Sequence, residues 1–160
     1  MVQAAVVNVI KTVEQLLASS GADMGVGAWY EVTQTSVNAF AETTGDLQYI
    51  HVDPKRAIEA GMGGTIAHGF YTLSLLPLLA KTRVGTRLEV PSKMALNYGL
   101  NKVRFITAVK IPSRIRLKTR FGEVTRTGAS VIQVVYEHTV EIEGEARPAM
   151  YAEAIDRIVL

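Results

Sequence analysis

The chain is 160 residues long, 48% hydrophobic and 20% charged, with no cysteine and a formal net charge of +2. That length fits one domain with its own core, and the composition excludes a disordered chain. The lack of cysteine excludes a disulfide framework, thiolate metal sites and a cysteine nucleophile. The charge is unevenly spread: residues 81–126 carry twelve basic and two acidic side chains, against three and seven in residues 1–80 and two and six in residues 127–160. A basic middle of this kind points to an anionic partner, whether nucleic acid, a membrane surface or a phosphorylated small molecule.

Residues 1–20 lack a basic start, and Lys11 and Glu14 interrupt their apolar stretch, so they do not read as a secretory signal and the cytoplasm is the default location. Val6, Val9, Ile10, Val13, Leu16 and Leu17 recur at helical spacing, which predicts an N-terminal helix within an extension over residues 1–27. Gly21, Gly25 and Gly27 break it, and Trp29–Thr33 reads as a short strand. Thr35 or Ser36 caps a helix through Val37, Phe40 and Ala41 that Gly45 ends. Asp53 and Pro54 then start a short helix, with Pro54 placed where no amide donor is needed, and it stops at Gly61.

After the loop Gly61–Gly64, with Thr65 as a possible cap, comes the most apolar helix of the chain, Ile66–Thr82, in which Pro77 predicts a kink. Its apolar run of 15 residues, Ile66 to Ala80, is too short to span a bilayer and reads as buried on most faces. Beyond Val90 the apolar period becomes two, giving strands over Met94–Phe105, Arg114–Val124, Ser130–Glu143 and Pro148–Val159. Helices first and long strands after predict an α+β fold in one domain, an antiparallel sheet wrapped around a central apolar helix. In the third segment from the end, Arg114, Arg116, Lys118 and Arg120 alternate with Ile115, Leu117, Thr119 and Phe121. That ladder is the wet face of a half-buried strand, not a polyanion site.

Several chemistries have no support. No Gly-Lys-Ser/Thr follows the glycine loop, no Gly-x-Ser-x-Gly is present, and His51, His68 and His138 lack a helical metal-ligand spacing, so no metal is expected. Asp46 and His51 are five residues apart in a loop between Gly45 and Asp53. On one helix they would diverge, but a loop is free to turn both toward one water as a general acid/base pair. From spacing alone, the alternative stays open that Asp46 caps amides and His51 is a satisfied loop histidine.

The wording of that stretch resembles the hydratase motif of the MaoC-like dehydratases and (R)-specific enoyl-CoA hydratases, which have a hot dog fold. Phe40, Thr44, Gly45, Asp46, Ile50, His51 and Ala57 match, with Gln48-Tyr49 in place of the family's Asn-Pro. The likeness continues at Ile66-Ala67-His68-Gly69-Phe70 and in the late strands, where Asn97 to Phe105 looks most like the nodulation-protein-N-like branch. The resemblance implies reversible addition of water to a trans-2-enoyl-CoA, giving an (R)-3-hydroxyacyl-CoA, as in fatty acid metabolism. It makes Asp46 and His51 the water-handling pair and the Gly69 amide the donor to the thioester oxygen. It leaves Gln48, His68, Asn97, Asn101, Lys102 and Arg104 as substrate-binding residues. Coenzyme A enters as part of the substrate, with no separate cofactor, and a homodimer is implied. Lys93, Lys102, Arg104 and Lys110 become the basic residues for its phosphates.

Some of these residues keep a second reading. His68 is as well explained as a buried structural histidine, and His138 as structural or exposed. Gly69 also reads as a helix-packing glycine, and Asn97, Tyr98 and Asn101 as solvent-facing strand polars. Two other functions share the sequence features: an acyl-CoA thioesterase on the same fold, and a non-catalytic acyl-CoA or nucleic-acid binding protein. The thioesterase class commonly lacks this Gly-Asp…His arrangement, and Phe105 and Phe121 are too sparse to stack nucleic acid bases among the cations, so neither nucleic acid nor membrane is expected as a partner.

Overall fold

The computed structural model describes residues 8–160. Four long strands dominate: β5 (Met94–Phe105), β6 (Ser113–Gly128), β7 (Val131–Ile142) and β8 (Met150–Val159), close to the segments that alternation predicts. They belong to an eight-stranded sheet of order β1-β4-β2-β6-β7-β8-β5, in which β3 (Tyr30–Val32) also pairs with β6. All pairings are antiparallel except that of β1 (Asn8–Ile10) with β4 (Val84–Leu88). On β6, Ile115, Leu117, Thr119 and Phe121 are fully buried, while Arg114 and Arg116 face outward and pair with Glu143 and Glu141 across β7. The basic ladder is therefore a solvated face, each such pair worth under about 1 kcal/mol.

The N-terminal part departs from the expected helical extension. Val6 lies outside the described residues. From Asn8 the chain forms β1, the short helix α1 (Val13–Leu17) and β2 (Asp23–Val26), all joined to the sheet. Thr12 explains the late helix start: it accepts from the Gln15 amide while Gln15 returns a bond to its backbone, a capping box that fixes the first turn at Val13. Strands β2 and β4 escaped the sequence reading because their glycines, Gly25 and Gly85, mask any alternation.

The second helix, α2 (Gln34–Thr44), is capped by Thr33 with Ser36 reciprocating, two residues before the expected cap. Gly45 ends it at φ 79°, a left-handed conformation that costs glycine little. Then follow α3 (Tyr49–Val52) and α4 (Pro54–Glu59), the latter capped by Asp53 as predicted.

The central apolar helix is shorter than predicted and is broken in two. Ile66 and Ala67 are drawn into bonds with Ile50 and Val109 instead of helix. So α5 begins at Gly69 with His68 as N-cap and ends at Ser74, and α6 (Leu76–Lys81) restarts with Pro77 in its first turn.

The core has two centres. One packs Tyr71, Leu76 and Leu79 of the central helices on Leu117, Val140 and Met150. The other packs Leu16, Met24 and Ile10 on Phe121, Val134 and Ile158. Between them the inner face of the sheet carries Tyr136 and the buried His138, whose Nδ1 lies 3.0 Å from Thr119 Oγ1. Burial, and secondarily the Arg83 guanidinium, holds the His138 imidazole down at about 4, against about 6.5 in an unfolded chain. The unfolded state thus binds the extra proton between those values. The stabilisation is complete above pH 6.5 and is lost as pH falls through about 4, on the order of 3 kcal/mol in all. Urea unfolding across that window is expected to lose this slope in His138→Gln.

Candidate active site

The hydrogen bonds of the loop between α2 and α4 place the site. With α2 stopped by Gly45, the chain turns, and the Asp46 carbonyl accepts a bond from His68 Nε2 at 3.0 Å. His51, on the single turn of α3, is 7% exposed, and its Nδ1 lies 2.7 Å from the Ile66 carbonyl. A carbonyl only accepts, so each bonded nitrogen carries the proton. In the neutral ring the second nitrogen is then the acceptor, Nε2 in His51 and Nδ1 in His68, and the latter is buried without a partner among the described residues.

These groups converge. One ligand-capable atom from each of Asp46, His51 and His68 lies within 4.8 Å of the other two. The two imidazoles stack at 3.7 Å between centroids, and Phe40 closes on His68 at 5.2 Å. The His138 ring belongs to the inner sheet face described above. A carboxyl group beside two imidazoles is a set of groups able to orient a water and exchange protons with it. The same three donors fit a divalent cation in number and type.

Sequence reading missed the residue that ties this cluster to α2. Gln34 donates from Nε2 to the His51 carbonyl at 2.7 Å and to Asn38 Oδ1 at 2.8 Å, and its Oε1 accepts from Thr65 Oγ1. Its position at the start of a capped helix carried no signal, since its partners lie 17 and 31 residues away. Tyr71 adds a second tie to α2 by donating to Ser36 Oγ at 2.8 Å.

Gly69 opens α5 directly after His68, and the His68 side chain makes no capping bond to that turn. The first amides of a helix have no partner within it. A Cβ at Gly69 would stand 2.8 Å from the Phe105 ring, so the packing role of this glycine is concrete. Gln48 caps the start of α3 without a side-chain bond and is exposed two residues beyond Asp46.

The β5 residues expected at the site divide by face. Val103 packs on the core, and the half-exposed Phe105 ring lies on the same face against Gly69. Lys102 and Arg104 pair with Glu153 and Tyr151 on the outer face, with Lys102 Nζ 5.6 Å over the Tyr151 ring. Within one protomer they are therefore not brought to Asp46 and His51. The strand alternation explains this, because a two-residue period puts them opposite Val103 and Phe105. Asn101 sits in an irregularity of the β5–β8 register, exposed, and Asn97 faces a separate cavity opposite Asp156. Of the remaining cations, Lys93 bonds the Leu160 carbonyl, whereas Lys110 forms a bridge with Ile66, beside the carbonyl that holds His51. Long-range proton–nitrogen correlation spectra are expected to show His51 protonated at Nδ1 and His68 at Nε2 near neutral pH. The reverse assignment for His51 would contradict its Nδ1 bond to the Ile66 carbonyl.

Comparison with known proteins follows the same line. A 3-hydroxyacyl-thioester dehydratase Z of Mycobacterium tuberculosis is 45% identical over 93% of this chain and 97% of its own length. Nodulation protein N of Rhizobium leguminosarum bv. viciae is 46% identical over 84% of this chain and 83% of its own. A crystal structure of a monoamine oxidase regulatory protein from Archaeoglobus superposes with a TM-score of 0.74 at 23% identity, covering 98% of both chains, which shows a shared fold. Residues 17–142 match the MaoC like domain, and with relatives this close over nearly the whole length, the chain belongs to that family.

Proposed function

We propose that the protein is a hydro-lyase acting on acyl thioesters: it adds water reversibly to a trans-2-enoyl-CoA to give the (R)-3-hydroxyacyl-CoA. The observation that carries this reading is the convergence of Asp46, His51 and His68, one ligand-capable atom of each lying within 4.8 Å of the other two. The named activity of the Mycobacterium tuberculosis relative points the same way.

In the hydration direction, Asp46 and His51 hold one water. Its oxygen bonds to C3 of the enoyl group as its proton passes to the pair, and charge moves onto the thioester oxygen. The Gly69 amide donates to that oxygen, a kind of contact whose loss costs roughly 3–4 kcal/mol in other enzymes. The pair then returns a proton to C2, so the net change is addition of one water and the protein ends as it began. Gln34 is the positioning residue, since it fixes the backbone of His51 through its carbonyl. His68 orients the loop through the Asp46 carbonyl. Gln48, exposed two residues beyond Asp46, and Lys110, bridged to Ile66, are the groups this reading assigns to the coenzyme A part of the substrate, which needs no further cofactor.

Mixing with crotonyl-CoA is expected to bleach the enoyl-thioester absorbance, and Asp46→Asn or His51→Ala to slow this by about 10²–10⁴-fold with far-ultraviolet dichroism unchanged. Wild-type protein that releases free thiol instead, or leaves enoyl-CoA of every chain length intact, overturns the assignment.

The reading includes a homodimer joined along β5. Among the described residues this strand is a sheet edge paired only with β8, and nearly every residue of it is exposed, including Met94, Leu96, Tyr98, Leu100 and Phe105. A twelve-residue edge that exposes these apolar side chains invites a second strand. A partner there would also bring its own Lys102 and Arg104 into the assembly. Light scattering is expected to give twice the 17.4 kDa protomer mass. Leu96→Lys should halve it, and a monomeric wild type would remove the dimer from the reading.

A further inference from the structure

At the opposite end of the central helices from Asp46 lies a cavity of about 760 Å³ between α5–α6, β4 and the inner face of β8 and β5. None of Asp46, His51 or Gly69 lines it. Its walls are largely apolar, with Leu76, Pro77, Leu100 and Ala154 facing inward. Its polar lining includes Arg83, Tyr136, His138 and Asp156, with Lys81, Arg87 and Asn97 also present.

The Arg83 guanidinium is the unusual member. It is half-buried, and burial pulls its affinity for the proton below the ordinary arginine range. Among the described residues no carboxylate lies within 4.0 Å of it, and its one recorded bond runs from Nη2 to the Thr86 carbonyl at 3.3 Å. Most of its donors are thus unspent. Guanidinium donors form a planar fork that matches a carboxylate bidentately. Tyr136 and His138 stand beside it as neutral groups, and His138 already uses Nδ1 on Thr119.

We propose that this cavity binds an aliphatic chain ending in a carboxylate, with the chain on the apolar walls and the carboxylate on Arg83. Charge supports an anion over a cation: the lining carries Lys81, Arg83 and Arg87, of which Arg87 is already paired with Glu89, against one carboxyl, Asp156, which burial makes harder to ionise. Asp156 lines the same cavity, so a ligand carboxylate seeks Arg83 and avoids Asp156. Binding itself is independent of the hydro-lyase reading. If that reading holds, the far end of a carboxyl-ended acyl group is one source of this chemistry, and a free fatty acid is the other.

The test titrates decanoate and decan-1-ol into the intact protein by calorimetry. Decanoate is expected to bind more tightly than the alcohol. Arg83→Met should weaken decanoate by about tenfold or more and leave the alcohol unchanged, a loss in the range of one charged hydrogen-bond partner. Arg83→Lys should restore part of the affinity, Asp156→Asn should tighten decanoate, and Ala154→Phe should block both ligands by filling the cavity. Dichroism and thermal melting of each variant separate lost binding from lost folding. No decanoate binding by wild type, or equal affinity in folded Arg83→Met or Ala154→Phe, overturns the proposal. Turnover then distinguishes the sources. A preference for carboxyl-ended over methyl-ended trans-2-enoyl-CoA that vanishes in Arg83→Met identifies the substrate's far end. Arg83-dependent decanoate binding with no such preference, or with no turnover of any enoyl-CoA, identifies a free acid.

Discussion

The structure turns on a mismatch of length. A strand such as β6, sixteen residues long, extends about 50 Å, whereas α5 and α6 together cover only about 20 Å. One inner face must still be buried, and the central helices reach part of it. The N-terminal residues cover the rest: α1, β1 and β2 close the other end around Phe121 and Val134. Two apolar centres form where one is the usual expectation, and the seam between them is where Tyr136, His138 and Arg83 are found. A polar seam across a β-sheet interior is costly unless its members are paired. Thr119 and His138 meet that demand for each other, while Arg83 meets it only in part.

The same shortness sets the site. Because Ile66 and Ala67 are committed to strand-like bonds, the helix cannot begin before Gly69. His68 is left at the junction with its ring free to reach Asp46, and the Ile66 carbonyl is free to fix His51. Had the helix started at Thr65, as its apolar sequence invites, that carbonyl would have joined the helical ladder and the tautomer of His51 would have lost its determinant. The chemistry at the loop is therefore a result of backbone bonds made by neighbours, not of the two motif residues alone.

This explains how far the sequence was readable. The four long strands, the αL stop at Gly45 and the cap at Asp53 follow from local rules that act within a few residues, and they appear where those rules put them. So does the outward face of Arg114 and Arg116. The meeting of Asp46, His51 and His68 was legible only through a resemblance to known motifs, because it depends on bonds between positions 15 and 22 residues apart. Gln34 was invisible for the same reason. The short strands β2 and β4 were missed because their pairing, not their composition, makes them strands. Lys102 and Arg104 belong to a strand near the site, but pleating turns them to the face opposite Val103 and Phe105.

The contact between Gly69 and Phe105 has one more consequence. The aromatic ring occupies the place where a side chain on Gly69 would stand, so the first turn of α5 rests on the edge strand itself. Phe70 adds to the contact edge-on at 5.8 Å. The edge and the helix start are thus one mechanical part: a shift of β5 carries Phe105 with it and is felt at the amide of Gly69 before it reaches any charged group.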